Sequence, residues 1–165
     1  MPHRAFIGVG SNLGDRKANI AEAIARTGEL PETKILRKSS LYESEPHGDA
    51  KTWFINAVVE LETEFGPPDL LKKLKAIEET MGRKRVKGKR WGSRIIDLDV
   101  LFFDSEVLNT RNLKIPHPEV AKRKFVLLPL AEVAPQLQHP ELGQTISQIL
   151  ATTKDQKRVT LTPPN

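Results

Sequence analysis

Residues 82–103 read GRKRVKGKRWGSRIIDLDVLFF. The first half is a Gly-punctuated loop in which Arg83, Lys84, Arg85, Lys87, Lys89, Arg90 and Arg94 are accompanied by no acid. The second half is an apolar strand interrupted only by Asp97 and Asp99. Side chains on a strand alternate faces, which sets Ile96, Leu98, Val100 and Phe102 on one face and the two carboxylates on the other. The carboxylates then lie about 7 Å apart along the strand. Burying such a pair unaided is costly, because like charges at close range disfavour joint ionisation. A divalent cation resolves the conflict: Mg²⁺ takes one or two carboxylates and fills its shell with water and substrate phosphates. The cationic loop suits the same polyphosphate. The stretch reads as a metal–nucleotide site.

The whole chain has 165 residues and a net charge of +5. The loop's seven cations leave −2 for the remainder, so the basicity is local and points to one anionic focus instead of a nucleic-acid-coating surface. Aromatic residues make up only 5% of the chain, and no aromatic-rich strand offers a base-stacking platform. There is no cysteine, which excludes thiol catalysis, Cys-based zinc sites and disulfides. No apolar run approaches the roughly 20 residues of a membrane span. The expectation is a cytoplasmic monomer acting on small molecules, with no nucleic-acid or membrane partner.

Outward from the Asp strand, residues 5–9 form a short buried strand followed by Gly10-Ser11-Asn12-Leu13-Gly14. Gly8, Gly10 and Gly14 are expected to make a tight turn into a helix over residues 15–28. Residues 33–44 are expected as one further strand. Residues 53–63 form a strong strand, with Asn56 inside its apolar first half. That amide needs partners, from the backbone or from the polar edge of a ligand. Phe54 shares its face by the two-residue period. Pro67 and Pro68 open a helix with Leu70, Leu71, Leu74, Ile77 and Met81 as its buried stripe, ended by Gly82. Glu78, near its end, faces the loop or is solvated. A short hairpin over 107–115 follows, then Pro116-His117-Pro118, with His117 a phosphate donor or a structural hydrogen-bonder. Helices over 125–133 and 144–150 close the chain.

The order strand, helix, strand, strand, helix, strand predicts an α+β fold. It is a ferredoxin-like split βαβ antiparallel sheet with helices on both faces, three layers α/β/α. Residues 1–151 are expected to form a single domain and 152–165 a loose tail.

These residues resemble the 6-hydroxymethyl-7,8-dihydropterin pyrophosphokinases of folate biosynthesis. The similarity rests on Gly10-Ser11-Asn12-Leu13-Gly14, Ser40-Leu41-Tyr42-Glu43, Phe54-Ile55-Asn56-Ala57-Val58 and, above all, the run from Arg90 to Asp99, RWGSRIIDLD. The resemblance implies transfer of the β,γ-pyrophosphoryl group of ATP to the pterin's hydroxymethyl oxygen, releasing AMP. It implies two Mg²⁺ ions held by Asp97 and Asp99, and charge stabilisation by Arg83, Arg85 and Arg94. It further implies ATP contacts from Glu78, Trp91, His117 and Arg123. The implied pterin pocket comprises Ser44, Phe54, Asn56, Asp97 and Phe125. Residues 1–151 would then be the catalytic domain.

Overall fold

The computed structural model describes residues 2–46, 52–82 and 95–162. Strand β1 (His3–Ser11) is flanked on both sides by antiparallel neighbours. Helix α1 (Arg16–Gly28) follows, its first turn capped by Asp15, whose Oδ1 accepts the Ala18 N–H at 3.1 Å. The region expected as one strand is two, β2 (Thr33–Lys38) and β3 (Tyr42–Ser44). The reason lies at Ser39. Its Oγ accepts the Val58 N–H at 2.9 Å while its own N–H donates to the Val58 carbonyl at 2.8 Å. A side chain thus replaces a ladder carbonyl and breaks the strand.

β2 and β3 both pair with β4 (Phe54–Thr63), whose other edge holds β1. Helix α2 (Pro67–Thr80) leads to the Asp strand, β5 (Asp97–Phe103). The expected hairpin is present as β6 (Leu108–Asn109) and β7 (Lys114–Ile115). Then come a 3-10 turn at Val120–Lys122 and helices α3 (Lys124–Val133) and α4 (Ile146–Thr152). Helix α4 begins with a reciprocal pair of hydrogen bonds between Thr145 and Gln148.

The segment after Thr152, expected to be loose, carries strand β8 (Val159–Leu161), which pairs with β3. An edge strand held by main-chain bonds needs no apolar pattern of its own, and polarity alone misled here. The sheet order is β5-β1-β4-β3-β8, with β2 also on β4.

Alternation on the central strands feeds two cores. Ile7, Val9, Ile55, Val59 and Leu98 join Ile20 of α1 and Leu70 and Leu74 of α2. Phe6, Val58 and Leu101 join Leu127 and Leu130 of α3 and Ile146 of α4. One departure from strict alternation falls on β5. Phe6 faces Phe102 but Ile7 faces Val100, so Leu101 is an extra residue in the ladder. This bulge sends Leu101 and Phe102 to the α3 side and returns Phe103 to the α1–α2 side. The expectation that Phe102 shares the face of Val100 is corrected accordingly.

β3 is tied to α3 by one carboxylate. Glu132 accepts from the Tyr42 hydroxyl at 2.6 Å and from the Ser40 hydroxyl at 2.9 Å and N–H at 3.0 Å. Burial and the Glu132 carboxylate push the Tyr42 hydroxyl up to about 12. Burial alone would raise Glu132, but the bonds from Tyr42 and Ser40 outweigh it and lower its pKa. The stabilisation is therefore complete between the ordinary values, 4.5 for Glu132 and 10.0 for Tyr42. It is lost below that window as Glu132 protonates and above it as Tyr42 ionises. Tyr42→Phe is expected to cost about 1 kcal/mol at neutral pH, a bond to a charged acceptor discounted for its exposure. Urea unfolding should show that difference shrinking in acid; a pH-independent gap would contradict the assignment.

Candidate active site

The register of three strands builds the site. Gly10 lies opposite Asn56 on β4 and Asp97 on β5, and Gly8 lies opposite Val58 and Asp99. With strands about 4.8 Å apart, Asp97 and Asn56 flank a residue without a side chain, their backbones about 10 Å apart. Gly8 and Gly10 form the floor of a cavity of about 90 Å³, walled by Phe54, Phe125 and Arg123. A Cβ on Gly10 would sit 3.0 Å from Asn56 Oδ1. The sequence reading gave these glycines to a turn; only Gly14, at φ +74°, does that work. Their two-residue spacing after Phe6, on the face that carries Phe54 and Asn56 on β4, was the available signal.

Asp97 is half-buried and Asp99 exposed, so the pair stands at the open end of the sheet and is not buried as expected. Both carboxylates also line a second cavity of about 290 Å³, bounded by Glu78, Lys75, Arg111, Lys114 and His117. The two cavities meet at Asp97 and Asp99. Lys75, Arg111 and Lys114 add cations that the sequence reading did not assign. They come from α2 and the β6–β7 hairpin, and only the fold brings them beside β5.

On the smaller cavity, Asn56 Nδ2 donates to Ser44 Oγ at 2.7 Å, both residues being buried. Ser44 thus fixes the amide whose Oδ1 borders Gly10. Phe54 is buried and Phe125 half-buried, and the Arg123 guanidinium lies 5.7 Å from the centre of the Phe125 ring. The Gly10–Gly14 loop supports the opposite end. Thr52 Oγ1 donates to the Asn12 carbonyl at 2.6 Å, and Arg16 Nη1 donates to the Trp53 carbonyl at 2.8 Å, which holds the approach to β4.

On the larger cavity, Glu78 is buried, not solvated. Its Oε2 accepts the N–H of Leu98, the residue between the two aspartates, at 2.8 Å. Helix α2 therefore braces the strand that presents them. His117 Nδ1 accepts the Glu119 N–H at 3.1 Å, and the backbone N–H of His117 donates to the Leu101 carbonyl at 2.9 Å. Burial and the nearby Arg123 guanidinium lower the His117 pKa, although Glu119 opposes them. The neutral ring then carries its proton on Nε2 and can donate from there.

Of the expected site residues, Ser44, Phe54, Asn56, Glu78, Asp97, Asp99, His117, Arg123 and Phe125 fall on or beside these two cavities. Arg83, Arg85, Trp91 and Arg94 lie outside the described residues. No group of three or more His, Cys, Asp and Glu side chains converges among the described residues. The donor set is a carboxylate pair, which fits Mg²⁺, an ion that keeps waters and substrate oxygens in its shell.

Residues 6–135 match the profile of the family described as 7,8-dihydro-6-hydroxymethylpterin-pyrophosphokinase, HPPK. The chain belongs to this family. Among HPPK relatives, the 2-amino-4-hydroxy-6-hydroxymethyldihydropteridine pyrophosphokinase of Methylorubrum extorquens is 40% identical over 149 residues, 90% of this chain and 92% of that one. The Pseudomonas aeruginosa protein of the same name is 41% identical over 152 residues, 92% of each chain. The HPPK fold recurs in a solved structure of an HPPK-DHPS in complex with substrates, at TM-score 0.71 and 16% identity over 92% of this chain. It recurs too in Plasmodium falciparum HPPK-DHPS A437G with pteroate, at TM-score 0.74, 18% identity and 92% coverage. This chain spans under half of those two, 43% and 41%. As an HPPK, the chain is an ATP-dependent diphosphotransferase of the pyrophosphokinase step in folate biosynthesis.

Proposed function

We propose that the smaller cavity takes 6-hydroxymethyl-7,8-dihydropterin and the larger one ATP, with Asp97 and Asp99 at the reacting boundary. The observation that carries this assignment is that both carboxylates line both cavities. Pyrophosphoryl transfer needs two bound substrates meeting at one point with their charge cancelled. The hydroxymethyl oxygen attacks the β-phosphorus of ATP, the bond from that phosphorus to the α-phosphate oxygen breaks, AMP departs with that oxygen, and the hydroxyl proton passes to solvent.

Asn56, held by Ser44, reads the polar edge of the pterin, and Phe54 and Phe125 stack on its faces. Asp97 and Asp99 would hold two Mg²⁺ ions, which would supply Lewis-acid neutralisation of the triphosphate. His117, Glu78, Arg123 and Trp91 hold the nucleotide. Arg83, Arg85 and Arg94, in the basic stretch of sequence, offset the charge that develops on the transferred group.

The strand order, counting β2 and β3 as one split strand, supports a ferredoxin-like βαβ arrangement, and the two cores support three layers α/β/α. We take the unit to be a single catalytic domain working as a cytoplasmic monomer on small molecules, without nucleic acid. No described helix is long and apolar enough to cross a membrane.

The test is product analysis with ATP, Mg²⁺ and the pterin. AMP formed only when the pterin is present is the expected result. ADP would overturn the transfer of two phosphoryl groups, and AMP formed without pterin would overturn the acceptor.

A further inference from the structure

The last described segment joins the two sides of the smaller cavity. Asp155 Oδ2 accepts the N–H of Lys124, the first residue of α3, at 2.8 Å, and its Oδ1 accepts the Lys157 N–H at 3.0 Å. Helix α3 has no cap from its own neighbour: the Arg123 side chain makes no capping bond. Asp155, about thirty residues later, fills that role in trans along the chain. Phe125 is the next residue after Lys124. The same segment then crosses to the far wall. The Glu45 N–H donates to the Arg158 carbonyl at 3.1 Å, and Glu45 Oε1 accepts the Arg158 N–H in return. The Arg158 guanidinium lies 5.2 Å from the centre of the Trp53 ring, beside Phe54. Val159 pairs with Ser44, the residue that holds Asn56.

We propose that residues 155–161 form a strap that sets the position of Phe125 relative to Phe54 and Asn56, with Asp155 as its positioning residue. The proposal rests on the smaller cavity being the pterin site. Asp155 touches neither cavity floor nor carboxylate pair; it acts through the first turn of α3. Burial alone would raise its pKa, but the N–H groups of Lys124 and Lys157, together with their charges, lower it, so the cap is charged at neutral pH. An aromatic wall that shifts by a fraction of an ångström loses stacking, and stacking is what a flat bicyclic ligand draws on. The nucleotide cavity is lined from β5, α2, the β6–β7 hairpin and His117. Of the described residues assigned to the nucleotide only Arg123 adjoins the strap, so ATP binding is expected to change much less than pterin binding.

The experiment compares full-length wild type with Asp155→Ala, which removes the cap on α3, and Arg158→Ala, which removes the guanidinium contact with Trp53 at the other end of the strap. Dissociation constants for the pterin and for ATP are measured separately, and amide exchange is followed at the start of α3. For Asp155→Ala the expected result is a pterin Kd raised about tenfold, an ATP Kd unchanged within about twofold, and faster exchange at Lys124. AMP formation at saturating pterin should stay near wild type. Arg158→Ala should reproduce the pterin effect without the exchange effect, and it carries the test if Asp155→Ala fails to fold. Equal changes in both dissociation constants, or faster exchange with an unchanged pterin Kd, would overturn the strap while leaving the pyrophosphokinase reading standing. A wild-type chain that binds ATP but no pterin would overturn the site assignment and the strap with it.

Discussion

Asp97→Ala is expected to lower AMP formation by at least about 10³-fold with little change in melting temperature. The size follows from position. Asp97 is half-buried at the open end of β5 and borders both cavities, so under the proposed assignment its charge acts where the two substrates meet. Its strand does not rely on it: β5 is held by β1, by the apolar contacts of Leu98 and Val100, and by Glu78 on the Leu98 N–H. Removing the carboxylate therefore takes away transition-state stabilisation without opening the core. Steady-state rates across a Mg²⁺ titration, with a thermal melt alongside, would check this. Turnover retained at ordinary Mg²⁺ would sink the metal assignment; lost turnover with a large drop in melting temperature would mean the residue is structural.

Asn56→Ala should weaken pterin binding by about 10²-fold and leave ATP binding within about twofold. The amide is the polar group at the cavity floor, and a ligand edge that has lost its donors and acceptors keeps only stacking. A second effect must be separated from the first. The Ser44 hydroxyl, buried, would lose its partner, at a stability cost of about 1–3 kcal/mol. Ser44→Ala isolates that contribution, since it leaves the amide in place but unanchored, and its pterin defect should be the smaller of the two. Equal losses of pterin and ATP affinity in Asn56→Ala would identify Asn56 as a packing residue.

How far the sequence went differs from element to element. β4, β5 and α2 announce themselves by period, because each buries a face and the pattern must repeat at 2.0 or 3.6 residues. The Asp-x-Asp pair and the Phe-x-Asn pair were legible for the same reason. What stayed hidden depends on partners distant in the chain. The bulge at Leu101 sits in a run of apolar residues, where one extra member leaves no mark. Ser39 looks like one more residue of a single strand until Val58 is opposite it. Glu78 reads as a solvated helix carboxylate until the Leu98 N–H arrives from twenty positions away. β8 and Asp155 lie in a polar tail whose order comes from main-chain bonds and a borrowed helix cap, neither of which has a hydropathy signature. Gly8 and Gly10 were visible but misassigned: a glycine can serve a turn or a close approach, and only the strand register decides.

One carboxylate pair bordering two cavities has a thermodynamic consequence. Any ligand or ion that neutralises Asp97 and Asp99 from one side changes the field felt on the other, so the two occupancies cannot be independent. By reciprocity, the factor by which a polyphosphate alters the affinity of its neighbour is the factor by which that neighbour alters the affinity of the polyphosphate. A ligand designed for either cavity would then be sensed in both, its apparent strength set by how full the adjoining one already is.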